Sequence, residues 1–93
     1  MSKIYILPSF ERSIKGLPPP VKGLLKKSLL AFNDMLSTGR SASGLRFKKI
    51  SQDVFEFRID TRLRVVARKH EGDYYLILAG NHDEIRRYLR ENG

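Results

Sequence analysis

The stretch VFEFRIDTRLRVVARKHEGDYYLILAGNH, Val54 to His82, decides the fold. It reads as three consecutive antiparallel strands joined by tight turns. Val54–Ile59 alternates, with Phe55, Phe57 and Ile59 on one side and Glu56 and Arg58 on the other. Leu63–Lys69 alternates again, with Leu63, Val65 and Ala67 inside and Arg64, Val66 and Arg68 outside. Tyr74–Ala79 is apolar throughout, as in a strand covered on both faces. Matching apolar to apolar sets Ile59 opposite Leu63 and Phe57 opposite Val65, because a one-residue slip would bring Phe57 against arginine. The same register places Arg58 directly opposite Arg64, and like charges facing each other across strands repel. Unless flanking carboxylates absorb that repulsion, the pair marks a place where an anion sits. The next hairpin turns at Glu71-Gly72, with Gly72 at positive φ. Val65 then faces Leu78, Ala67 faces Leu76, Arg64 neighbours Ala79 and Arg62 neighbours Asn81. Arg58, Arg62, Arg64 and His82 are thereby expected to converge on one shallow patch.

Working outward, Lys3–Leu7 reads as a first strand that Pro8 ends. Ser9 can cap a short helix from Phe10 to about Leu17, and Pro20 suits the first turn of a second helix that runs to about Leu36. Val21, Leu24, Leu25, Leu29, Phe32 and Leu36 form the apolar face of that second helix, so the two helices make a hairpin over one side of the sheet. Ser37–Gly44 is a polar linker without a phosphate-loop pattern. Leu45–Ile50 is another short strand. A last helix spans Asp83 to about Glu91, capped by Asn81 or Asp83, with Ile85, Tyr88 and Leu89 as its apolar stripe. The fold class is α+β: a strand, a helical hairpin, a mostly antiparallel run of four strands and a short C-terminal helix, in one domain over residues 1–93.

With 41% hydrophobic and 30% charged residues the composition is that of a globular domain, not of a disordered chain. The net charge is +8, concentrated between Arg40 and Lys69, where nine basic residues stand against three acids. These charges occupy alternate strand positions rather than a tail. Arg46, Lys48, Lys49, Arg62 and Arg68 therefore read as a polyanion-binding face, in the first place for nucleic acid, with a merely solubilising basic surface as the alternative. Without cysteine there is neither a disulfide framework nor a thiolate metal site. His82-Asp83 lacks further ligands, so neither a metal nor any other cofactor is expected. No apolar run approaches the roughly 18 residues of a membrane span, and the start is too short for a signal-peptide core. No membrane partner is expected, and the reading is cytoplasmic.

Cutting RNA without metal needs a base for the 2′-hydroxyl, cations for the phosphate, and an acid for the leaving 5′-oxygen. Arg64 and Arg58 suit the second task, because guanidinium grips phosphate oxygens in a fork. His82 suits the proton-transfer tasks, or else it caps the last helix. Glu56 shares a face with Arg58 and is either a base or simply a neutralising partner. With its head group outside, Arg64 is expected to be replaceable by alanine without loss of stability.

Nearly the whole chain resembles the RelE/ParE superfamily, the toxins of toxin–antitoxin pairs. The likeness is carried by the first strand and helical hairpin, Leu45-Arg46-Phe47-Lys48-Lys49-Ile50, Val54-Phe55-Glu56-Phe57-Arg58-Ile59, Leu63-Arg64-Val65-Val66, Ala79-Gly80-Asn81-His82-Asp83-Glu84 and Tyr88. The resemblance implies that Arg64 is a catalytic phosphate contact with Arg58 in a similar role. It also implies that His82 occupies a catalytic arginine or histidine position, and that Tyr88 positions or stacks on the substrate. Glu56 departs from the pattern, since RelE has a lysine there. The implied function is a metal-independent mRNA endoribonuclease acting on the ribosome and restrained by a cognate acidic antitoxin. A non-catalytic gyrase inhibitor of the ParE kind, or a basic RNA- or ribosome-binding module, is the alternative.

Overall fold

The structure, a computed structural model, describes residues 2–42 and 44–92. Its elements are β1 (Ile4–Ile6), α1 (Pro8–Ile14), α2 (Pro19–Thr38), β2 (Lys48–Lys49), β3 (Val54–Arg58), β4 (Arg64–His70), β5 (Asp73–Gly80) and α3 (His82–Asn92). The strands form one sheet in the order β1-β5-β4-β3-β2, with β1 parallel to β5 and the other pairs antiparallel.

The first hairpin has the expected register: Phe57 pairs with Val65 and Arg58 with Arg64. Its turn is held by Asp60, whose Oδ1 accepts the N–H groups of Arg62 at 2.8 Å and Leu63 at 2.7 Å. The β4–β5 turn uses left-handed backbone at both Glu71 (φ 50°) and Gly72 (φ 84°), the geometry that follows the twist of the flanking strands.

Beyond that turn the register departs from expectation. Ala67 does face Leu76, but the ladder shifts between Val66 and Ala67. Val66 then faces Leu78, Val65 faces Ala79, and Arg64 faces Gly80 rather than Ala79. Ile77 is the additional residue, a bulge in β5. The side of β5 beyond the end of β1 has no strand to pair with, and α1 supplies the missing partners. Ser9 Oγ donates to the Ile77 carbonyl at 2.6 Å, and Ser13 Oγ, one helical turn on, accepts the Ala79 N–H at 2.9 Å. Ser9 is thus not a helix cap. The helix opens at Pro8, with Leu7 in the capping position and no side-chain cap bond.

Two apolar layers flank the sheet. On one side Phe10, Leu25 and Phe32 of the helical hairpin pack on Phe57, Val65, Ala67 and Leu76. On the other, Val54 and Val66 are buried beneath Ile85 of α3, with Ile77, Leu78, Tyr88 and Leu89 around them. Val66 therefore lies inside a second layer and not outside, which also explains why β5 is apolar on both faces. α2 runs to Thr38 and ends at left-handed Gly39 (φ 78°), whose N–H bonds to Met35. Leu24, expected in the apolar face of α2, is 41% exposed.

The expected strand Leu45–Ile50 is reduced to Lys48–Lys49. Arg46 takes a left-handed φ of 51°, which interrupts the extended chain after the buried Leu45. Among the described residues no helix is long and apolar enough to cross a membrane.

Removing the Ser13 hydroxyl strands the Ala79 N–H in a part-buried position. Ser13→Ala is expected to lower unfolding free energy by about 1–3 kcal/mol. Chemical denaturation checks this, and an unchanged midpoint would mean that solvent already satisfies the Ala79 N–H.

Candidate nucleic-acid site

The site starts from β4. Arg64 is its first residue, flanked across the ladder by Arg58 on β3 and Gly80 on β5. Glu56 sits two residues before Arg58 on the same face and is nearly enclosed, its side chain 8% exposed. Its Oε2 lies 3.3 Å from Arg64 Nη1 and 4.0 Å from Lys48 Nζ. A carboxylate thus absorbs the repulsion between the facing arginines, and it is held by Arg64 rather than by Arg58. The facing pair needs no bound anion to exist. Arg58 carries the opposite signature: its Nε is buried with no hydrogen-bond partner among the described residues.

Three depressions meet at Arg64. One is lined by Thr61, Arg62, Asn81, His82 and Asp83 at the start of α3. A second is lined by Arg46, Phe47, Lys48 and Arg58. The third runs between α3 and the β2 edge, along Lys48, Ile50, Glu56, His82, Ile85, Arg86 and Leu89. The expected convergence of Arg62, Arg64 and His82 is present, with Arg58 on the adjoining side of Arg64. Arg86 is an addition that the sequence reading missed. Its spacing of four from His82 places the two on one helix face, and that is the signal that could have found it.

His82 is the first residue of α3 and is exposed. It does not cap the helix. Asn81 does: its Oδ1 accepts the Glu84 N–H at 2.9 Å, while Glu84 Oε1 accepts the Asn81 N–H at 2.9 Å. This reciprocal box leaves the imidazole free to face the depressions.

Tyr88 and Arg68 are not brought to this place. Arg68 Nη2 donates to the Tyr88 hydroxyl at 3.2 Å and Nη1 lies 2.8 Å from Asp53 Oδ1. The Tyr88 hydrogen bond first, and the Asp53 carboxylate with it, push the Arg68 pKa still higher. Six residues of helix separate Tyr88 from His82, about 9 Å, and four residues of strand separate Arg68 from Arg64, roughly 13 Å. The trio instead fastens the far end of α3 to the sheet. Lys49 stands across from Phe55, on the opposite face from Lys48, and lines none of the three depressions. Among the described residues, no three His, Cys, Asp or Glu side chains gather in a way that could hold a metal ion.

No protein-family model matches the chain, and no curated protein matches its sequence. Solved structures do match its fold. The RelB–RelE antitoxin–toxin complex from Methanococcus jannaschii aligns over 91% of this chain and 98% of its own, at TM-score 0.67 and 14% identity. The Escherichia coli DinJ–YafQ complex aligns over 91% and 98%, at TM-score 0.72 and 9% identity. A metal-bound toxin from Helicobacter pylori aligns over 91% and 99%, at TM-score 0.68 and 19% identity. The fold is therefore that of the RelE-like toxins, as the resemblance in sequence implied.

The Glu56–Arg64 pair argues against the expectation that Arg64 is dispensable for stability. Arg64→Ala leaves an enclosed carboxylate with only the more distant Lys48. A loss of about 1–3 kcal/mol is expected, and Arg64→Ala/Glu56→Leu should recover most of it. Thermal melts of the single and double variants check this, and a single variant melting with the parent would contradict it. Arg46 gives the opposite expectation: Arg46→Gly removes a left-handed arginine and should raise stability by up to about 1 kcal/mol, which the same melts check.

Proposed function

We propose that this protein is the toxin of a toxin–antitoxin pair and a metal-independent mRNA endoribonuclease that works on the ribosome. The observation that carries the reading is Arg64 and His82 in one open depression, with Arg62 beside them and Arg58 on the far side of Arg64. The toxins named in the matching structures support the class, and two of those structures are complexes with antitoxins. An acidic antitoxin segment suits a partner of net charge +8.

In this reading Glu56 does not act as the base. It holds one edge of the Arg64 guanidinium, whose remaining N–H donors grip the scissile phosphate. Arg58 adds its positive charge on the neighbouring side of Arg64. The RNA's own 2′-hydroxyl attacks the phosphorus and loses its proton to solvent water, the bond to the 5′-oxygen breaks, and His82 hands its proton to that oxygen and regains one from solvent. Tyr88, bound to Arg68, takes no part. The products are a 2′,3′-cyclic phosphate, or its opened 3′-phosphate, and a 5′-hydroxyl.

End-group analysis of mRNA cut in a translation mixture tests this. Cleavage should survive metal chelation, provided polyamines keep the ribosome intact, and a 2′-deoxy residue at the cut should block it. His82→Ala should slow it by about 10²–10⁴-fold. A 5′-phosphate end, or full activity of the variant, would defeat the reading. One observation favours a second: a nearly enclosed carboxylate on Arg64 also suits a protein that binds without cutting. Loss of gyrase supercoiling without any RNA cleavage would establish a gyrase inhibitor of the ParE kind instead.

A further inference from the structure

We infer that Glu84 is a positioning residue, which fixes His82 relative to Arg64 without touching the reacting atoms. The inference rests on the proposed role of His82. Three observations converge on it. Glu84 and Asn81 clamp each other through two bonds of 2.9 Å, one from each backbone N–H to the other's side chain. The Glu84 side chain lies directly on Gly80, where an added Cβ would come within 3.0 Å of its Oε1, 3.1 Å of its Cβ and 3.2 Å of its Cδ. Gly80, in turn, is the cross-strand partner of Arg64.

Glu84 therefore braces both Gly80, which stands at the Arg64 register position, and Asn81, the one residue between it and His82. Gly80 has no left-handed backbone to explain its identity. Its lack of a side chain is what lets the carboxylate reach back over the end of β5 to the Asn81 N–H. Without the brace, the β5–α3 junction regains its torsional freedom, and the imidazole loses its fixed distance from the phosphate held at Arg64. A misplacement of about 1 Å can cost on the order of 10²-fold in rate.

The test compares Glu84→Ala, Glu84→Gln and Gly80→Ala with Leu29→Ala. That control loosens the core on the far side of the sheet, away from α3. At a temperature where all are folded, Glu84→Ala should lower kcat for mRNA cleavage by about 10–100-fold with little change in KM. Gly80→Ala should fall between it and the parent. Glu84→Gln keeps an oxygen acceptor for the Asn81 N–H and should restore activity, and Leu29→Ala should retain it. Full activity of Glu84→Ala, or equal losses in Glu84→Gln or Leu29→Ala, would overturn the inference. A parallel NMR measurement separates this outcome from failure of the ribonuclease reading. The His82 ring signals should show one well-defined environment in the parent and Glu84→Gln. In Glu84→Ala they should average towards those of a free histidine, with the Asn81 amide exchanging faster. If the parent cuts no RNA, the function reading fails and the NMR comparison alone decides: unchanged His82 signals in Glu84→Ala would overturn the positioning role.

Discussion

The bulge at Ile77 sets the geometry on which the rest of the molecule depends. One extra residue in β5 moves Gly80 opposite Arg64. It also brings Val66 and Leu78 into register beneath α3, where Val66 and Ile85 are buried together. Without the extra residue the strand would arrive one position out of step. The start of α3 would then leave β5 beside a different residue of β4. The backbone groups along this side of β5 are met by Ser9 and Ser13, so α1 does what a neighbouring strand would otherwise do. The short N-terminal helix is thereby tied to the same segment that carries His82.

A second constraint is electrostatic. A basic face cannot be assembled on adjacent strands without some compensation, and the structure places a single nearly enclosed carboxylate at its centre. Glu56 fixes Arg64 in orientation and draws Lys48 towards the same oxygen. Asp53 does a comparable thing for Arg68 at the other end of the face, where Tyr88 joins it. The two arginines look alike in sequence, each on an outward-facing position of β4. Their partners make one the hub of open depressions and the other a fastening for α3.

That difference marks the limit of what could be read from the sequence. The first hairpin was legible because Phe57, Val65, Arg58 and Arg64 carry an unambiguous alternation, and parity fixes which residues share a face. The run Leu76-Ile77-Leu78 is apolar at every position, so it has no parity to break and the bulge left no trace. The shallow patch was expected to gather Arg58, Arg62, Arg64 and His82, and the first hairpin fixes its arginines. His82 still reaches Arg62 and Arg64, although the β4–β5 register is one residue away from the expected one, because β5 leads straight into α3. The displacement of Tyr88 was not, because it follows from a bond to Arg68, a residue 20 positions away, and from Asp53, 15 positions beyond that residue. The truncation of β2 turns on one left-handed residue, Arg46, of a type that gives no warning of such a backbone.

The parallel pairing of β1 with β5 gives the molecule an order of assembly. Ile4 meets Tyr74, and Lys3 binds Asp73 across 70 positions of chain. Contacts that distant form late, whereas β3, β4 and β5 join through short turns and can pair early. During synthesis from the amino end, β1 and both helices of the hairpin emerge before there is any sheet for them to cover. The depressions around Arg64 draw on residues from Arg46 to Leu89, so they acquire their last wall only when α3 folds. The walls of this site are consequently incomplete in a nascent chain until the residues of α3 have been made.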